Sequence, residues 1–178
     1  MRIIAGRLKG RRLEGPPPGD LRVRPTSDRG REALFAILQR WPTGPFLDLF
    51  GGTGAVAMEA WSRGYDPVTC VEQARESLGI IQANARGTEV RILRRDVRKL
   101  GAREFSGLAV LFADPPYELG AGLWEEMKVR MAPWMAPEGV LAWETDCRTE
   151  LGGGGGWTAL ETRDYGTVRF HFFRPGTP

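Results

Sequence analysis

Pro45-Phe-Leu-Asp-Leu-Phe-Gly-Gly-Thr-Gly54 is a short apolar run that breaks into a glycine loop, and the pattern returns later in the chain. There, Leu108-Ala-Val-Leu-Phe-Ala-Asp-Pro-Pro-Tyr117 is a second apolar run, ending in a carboxylate, two prolines and an aromatic ring. Runs of this length bounded by turn residues read as strands, and near-continuous apolarity marks parallel strands covered on both faces. Working outward, the pattern alternates. A short apolar helix (Ala55–Ser62) follows the first strand, and Pro67–Glu72 forms the second. A helix presenting Ala74, Leu78, Ile81 and Ala85 leads to a third strand, Val90–Arg94. The strand at Leu108–Ala113 is followed by a helix with Leu123, Met127 and Met131 on one face, then a fifth strand at Gly139–Thr145. Two last extended runs, Trp157–Thr162 and Thr167–Phe173, have no crossover helix between them and are expected to pair antiparallel. The expected fold is α/β, doubly wound and mostly parallel, with seven strands of which the last is antiparallel.

Before this alternation lies a different kind of segment. Arg2-Ile-Ile-Ala-Gly-Arg-Leu-Lys-Gly-Arg-Arg-Leu-Glu14 reads as a small β-hairpin with its arginines exposed, ended by Pro16-Pro-Pro-Gly19. A helix is expected to start at Ser27 or Asp28, with Ala33, Leu34, Ile37, Leu38 and Trp41 on its apolar face. This divides the chain into a basic arm, residues 1–26, and a main domain, residues 27–178. The net charge of +3 conceals the contrast. Residues 1–40 carry ten Lys/Arg against four Asp/Glu, so the remainder of the chain is net acidic. A basic arm on an acidic body suits a polyanion, and nucleic acid is the expected partner; a solvated arginine-rich surface is the alternative. The two cysteines give neither a disulfide framework nor a metal cluster, so no metal is expected. Cys70 reads as a small core residue, and His171, alternating with apolar neighbours, as structural. With no signal peptide and no apolar run long enough for a bilayer, a cytoplasmic location away from membranes is expected. The five glycines at 152–156 read as a flexible loop without chemistry.

Ligands of an open α/β sheet bind beyond the carboxyl ends of its strands. Asp48, Glu72, Asp96 and Asp114 fall at such ends. Gly51, Gly52 and Gly54 allow close backbone approach, and the helix after them offers free N–H groups to an anionic ligand group. Glu72 stands where an acidic residue can meet a ribose hydroxyl. A structural strand-to-helix turn or a nicotinamide dinucleotide site would use similar residues, although a full G-x-G-x-x-G is absent. Asp114-Pro-Pro-Tyr117 is more specific: a carboxylate, a carbonyl and an aromatic ring can grip a planar amino group. Together the two loops suggest S-adenosylmethionine-dependent methylation of an exocyclic amine, with a nucleobase as its carrier.

Over residues 45–175 the chain resembles class I S-adenosylmethionine-dependent methyltransferases, with their Rossmann-like sheet. More closely it resembles the bacterial 16S ribosomal RNA guanine-N2 methyltransferase family (RsmD-type). That likeness rests on Arg2-Ile-Ile-Ala-Gly6, Gly10-Arg11, Arg24-Pro-Thr26-Ser-Asp28-Arg29 and Arg31-Glu-Ala-Leu-Phe35. It continues through the glycine loop, Glu59-Ala60, Ser62-Arg-Gly64, Asp114-Pro-Pro-Tyr117 and Tyr165-Gly166. Gly51 and Thr53 stand where such proteins more often carry Ala and Ser. The resemblance implies an enzyme acting on 16S rRNA, naked or within a small-subunit particle, as a monomer. It implies that Asp48, Phe50, Gly51, Gly52 and Gly54 surround the methionine part of S-adenosylmethionine, Glu72 the ribose and Asp96 the adenine. Asp114 and the Pro115 carbonyl would accept the target N–H bonds, and Tyr117 would stack on the base. Arg7, Lys9, Arg11 and Arg12 are the expected RNA contacts, on an arm the cofactor should not need. Adenine-N6 methylation and a non-catalytic nucleic-acid-binding module remain the alternatives.

Overall fold

The computed structural model describes residues 1–16, 27–116 and 118–176. Strand β1 (Phe46–Asp48) is an interior strand, third in the order of one seven-stranded sheet. It pairs in parallel with β2 (Val68–Glu72) on one side and with β4 (Leu108–Ala113) on the other. β3 (Arg91–Arg94) extends the first side, β5 (Met135–Asp146) the second. β7 (Val168–Pro175) then pairs antiparallel with both β5 and β6 (Trp157–Tyr165), giving the order β3-β2-β1-β4-β5-β7-β6. The chain thus winds outward from β1 to β3, then returns to start β4 on the opposite flank. That reversal opens a crevice between the carboxyl ends of β1 and β4.

Strand periodicity divides the core into two layers. Phe46, Val68, Cys70, Val110, Phe112, Val140, Phe170 and Phe172 face one layer, with residues of helices α1 (Asp28–Leu38), α2 (Ala55–Ser62) and α3 (Arg75–Asn84). Leu47, Val71, Leu111, Leu141, Trp143 and Phe173 face the other, with α4 (Gly120–Met131) and Trp134. Ser27 caps α1 by accepting the Gly30 N–H at 3.0 Å. Its apolar face is Leu34, Phe35, Ile37 and Leu38, while Ala33 and Trp41 are only half-buried. Arg31 is wholly buried there, donating to the Asp28 carboxylate and the Arg2 carbonyl, each at 2.7 Å.

Three expectations need correction. On α3 the buried positions are Ser77, Ile81 and Asn84, the last covered by the N-terminal segment through the Glu14 N–H; Ala74, Leu78 and Ala85 are half-buried, Ala85 against the first core layer. β5 begins at Met135, before Gly139, with a register shift against β4 between Leu108 and Val110. The glycine loop at 152–156 is tethered: Trp124 Nε1 donates to the Gly152 carbonyl at 3.1 Å, and Gly154 N–H to Trp157 O at 2.8 Å.

The N-terminal segment folds back on itself through one antiparallel bridge, Arg2 to Arg12, with Ile3 N–H bonded to Arg11 O at 2.9 Å. Its Ile3 and Leu13 are buried in the first core layer. It is seated on α2 by a buried carboxylate. Glu59 accepts the N–H groups of Ile4 (2.8 Å) and Ala5 (3.0 Å), and Ser62 Oγ accepts from Leu8 (2.9 Å). Gly6 has φ +81, and any Cβ there would collide with the Ser62 carbonyl. No described helix is long and apolar enough to cross a membrane.

Candidate active site

The loop after β1 is held against β2 by backbone bonds. Gly51 N–H donates to Val71 O at 2.9 Å, and Gly54 N–H to Gly51 O at 2.6 Å. Gly52 (φ 55) and Gly54 (φ 76) adopt left-handed conformations that side chains resist. Gly51 is fixed for another reason: a Cβ there would drive into the Cys70 sulfur. Glycine at 51 therefore goes with cysteine at 70, a complementarity hidden in the sequence. Gly54 itself offers no side-chain cap to α2; in the first turn the Ala57 N–H is met by the Asp48 carboxylate, at the sheet's carboxyl edge.

Glu72, at the end of β2, spans this loop and the next. Its carboxylate accepts the Gly52 N–H at 2.8 Å and the Ala74 N–H at 2.7 Å. Two oxygens offer about four acceptor sites, so both bonds leave capacity for further donors. Asp96, after β3, accepts the Arg98 N–H at 3.0 Å through Oδ1 and so starts the turn Val97–Lys99. Asp48 is 1% exposed. Burial pushes its carboxyl up to about 7; the Phe50 N–H, 3.3 Å from Oδ1, pulls the other way, and the negative charges of Asp114 and Glu72 add to the rise. The parallel pairing of β1 with β2 and β4 places three of the four predicted carboxylates close together, against their mutual repulsion. Asp96 stands further along the same edge, beyond β3.

β4 delivers the second loop. Phe112 is paired with Asp48, so Asp114 emerges just past the carboxyl end of β1. Asp114 is half-buried and Pro115 buried, and Leu119 N–H closes the turn on Pro116 O at 2.8 Å. Tyr117 and Arg24-Pro-Thr26 lie outside the described residues. Across the β4–β5 ladder, Ala113 is opposite Trp143, so buried Glu144 and Thr145 follow beside the Asp114 loop. Thr145 Oγ1 lies 2.9 Å from Nε2 of buried His171, whose burial lowers its pKa. Among the described residues, no group of three His, Cys, Asp or Glu could hold a metal ion.

The basic arm is spread differently from its sequence. Arg7 lies 4.3 Å over the Trp61 ring, and Arg11 donates to the Asn84 carbonyl at 3.0 Å. Lys9 and Arg12 are exposed. The arm and α1 enclose an open groove of about 560 Å³, lined by Arg2, Lys9 and Arg29 together with Asp28 and Glu32. Glu59, which the sequence offered only as part of the family likeness, and Asn84, which it did not mark, seat the arm. Their signals were an acid inside the otherwise apolar Ala55–Ser62 and the chain's one asparagine.

The fold has close counterparts. The solved structure of the yhhF protein of Escherichia coli superposes with a TM-score of 0.84, at 26% identity, covering 99% of this chain and 98% of that one. A hypothetical protein of Thermus thermophilus gives 0.80 at 27% identity, covering 97% and 98%. In sequence, the ribosomal RNA small subunit methyltransferase D of Escherichia coli strain K12 is 32% identical over 157 residues, 85% of this chain and 77% of the relative. The protein of that name from Haemophilus influenzae is 26% identical over 98% of this chain and 93% of its own. A family model described as Conserved hypothetical protein 95 matches residues 1–174. The chain belongs to that family, the family of the ribosomal RNA small subunit methyltransferase D proteins.

Proposed function

We propose that this protein transfers a methyl group from S-adenosylmethionine to the exocyclic N2 amine of a guanine in small-subunit ribosomal RNA, in the cytoplasm. The observation that carries the proposal is the placement of Asp48, Glu72 and Asp114 at the carboxyl ends of adjacent parallel strands, at the reversal of strand order. The names of the relatives point to the same reaction class.

The residues present fit the cofactor. At Gly51 there is no room for a side chain, and the backbone of Gly51, Gly52 and Gly54 can lie against a ligand. Asp48 and Phe50 adjoin the same loop, where a carboxylate would meet the cationic methionine end. The N–H groups at the start of α2 that Asp48 does not take would suit its carboxylate. Glu72 would take the ribose hydroxyls and Asp96 the adenine amino group. When bound, S-adenosylmethionine supplies an electrophilic methyl group.

The chain's own task is to make a poor nucleophile competent. The lone pair of a guanine amine is delocalised into the ring. Asp114 and the Pro115 carbonyl would accept its two N–H bonds, drawing the nitrogen toward a tetrahedral geometry so that the lone pair is localised on it and aimed at the methyl donor. Positive charge grows on nitrogen as the bond forms, and the fixed Asp114 carboxylate stabilises it. Holding both partners in line contributes much of the remaining acceleration. Tyr117 would stack on the base, which must come from a loop or be flipped out of its helix. Arg7, Lys9, Arg11 and Arg12 would meet phosphates. Mass spectrometry of ribosomal RNA from cells lacking the gene tests this reading. One N2-methylguanosine should vanish and return on complementation; an unchanged methylguanosine content, or loss of N6-methyladenosine instead, would refute it.

A further inference from the structure

Asn84 is 3% exposed and makes bonds that reach both ends of the proposed machinery. Its Nδ2 donates to the Thr53 carbonyl at 2.8 Å and to the Glu14 carbonyl at 3.0 Å. Its Oδ1 accepts the Glu14 N–H at 2.7 Å. That last bond fixes the amide's orientation, because an N–H cannot face an NH₂ group. Both amide hydrogens are therefore committed, one to the middle of the glycine loop and one to the arm. A second contact follows the same route: the Thr53 hydroxyl lies 3.9 Å from the Met1 sulfur.

We propose that Asn84 is a positioning residue of the cofactor site, bracing the glycine loop against the N-terminal arm. This rests on the cofactor reading above. Thr53 sits between Gly52 and Gly54, both in left-handed conformations, so the loop has much backbone freedom to lose when a ligand binds. A buried amide gripping its central carbonyl removes that freedom beforehand, which is where preorganised sites gain affinity. Because Asn84 is itself held by the backbone of Glu14, the arm becomes part of the cofactor site. On this proposal the arm contributes to cofactor binding, against the expectation that the cofactor does not need it.

Calorimetry with S-adenosylhomocysteine on the full chain tests this, with folding of each variant checked by circular dichroism. Asn84→Ala should bind about tenfold more weakly, on the scale of one or two lost hydrogen bonds. Asn84→Asp keeps the shape and the acceptor but loses both donors, and should show the same loss if the alanine variant folds poorly. Glu14→Pro removes the arm's N–H and also sets its ring against Asn84 Oδ1, 2.7 Å from that nitrogen, so it should cost about threefold or more, whereas Glu14→Ala, which keeps the N–H, should cost nothing. In transfer assays the Asn84 variants should raise KM for the cofactor while kcat at saturation stays within about twofold. Folded Asn84 variants that bind like the parent would overturn the proposal. A Glu14→Pro protein with parental affinity would overturn the role of the arm. A parent that fails to bind S-adenosylhomocysteine would instead defeat the cofactor reading, and this inference with it.

Discussion

Cofactor binding should expel a proton from Asp48, and the effect is large enough to measure. In the ligand-free fold this carboxyl titrates near 7, raised from 3.8 by burial and by the charges of Asp114 and Glu72. The sign follows directly. Between about pH 4 and 7 the folded protein holds a proton that the unfolded chain has released, so the ligand-free fold loses stability as pH rises through this window. The ceiling is about 4 kcal/mol, from roughly three units at 1.36 kcal/mol each. A cationic ligand group beside Asp48 requires the ionised form. At pH 6 only about a tenth of the sites are ionised, so affinity should be about tenfold lower than at pH 8. Calorimetric titration with S-adenosylhomocysteine from pH 5.5 to 8.5, repeated in buffers of different ionisation enthalpy, reads both the affinity and the protons released. Close to one proton should leave at pH 6 and almost none at pH 8. Asp48→Asn should flatten the profile and abolish the release. An affinity independent of pH, or a profile unchanged in Asp48→Asn, would refute the placement of a cationic cofactor group at Asp48.

Further outcomes follow from the same geometry. Asp114→Ala should retain cofactor affinity within about threefold while losing about a hundredfold or more in methyl transfer; near-normal turnover would remove Asp114 from the mechanism. Gly51→Ala should destabilise the fold by about 1–3 kcal/mol, and Cys70→Ala should relieve most of that in a double-mutant cycle followed by denaturant melts. Additive effects would show that the Cys70 sulfur is not what keeps residue 51 glycine. Lys9→Ala with Arg12→Ala, both exposed, should weaken RNA binding and reduce the salt slope by about two phosphate contacts; unchanged slope would move RNA recognition elsewhere.

What was legible in the sequence was the part governed by local pattern. The bounds of β4 and α2 match their apolar runs, and Leu123, Met127 and Met131 are buried on α4 as expected, together with Trp124, which the pattern did not mark. The antiparallel tail followed from a connection too short for a crossover. The carboxylates converge because all stand at carboxyl ends of neighbouring parallel strands. Hidden from it were the buried polar residues whose partners are distant backbone groups. Glu59 reaches Ile4 and Ala5, Asn84 reaches Glu14 and Thr53, and Arg31 reaches the Arg2 carbonyl. Such bonds leave no periodicity. They appear locally as a lone acid in an apolar helix, or as polar residues where an α3 face should be apolar. For the same reason the arm read as a separate basic appendage, although Ile3 and Leu13 are core residues.

The account is tested most directly with the purified protein, small-subunit ribosomal RNA and S-adenosylmethionine carrying a deuterated methyl group, followed by nucleoside digestion and mass spectrometry. It predicts the label in N2-methylguanosine, at one site, and its absence with Asp114→Ala. Label in N6-methyladenosine, or no label from a protein that binds the cofactor, would contradict it.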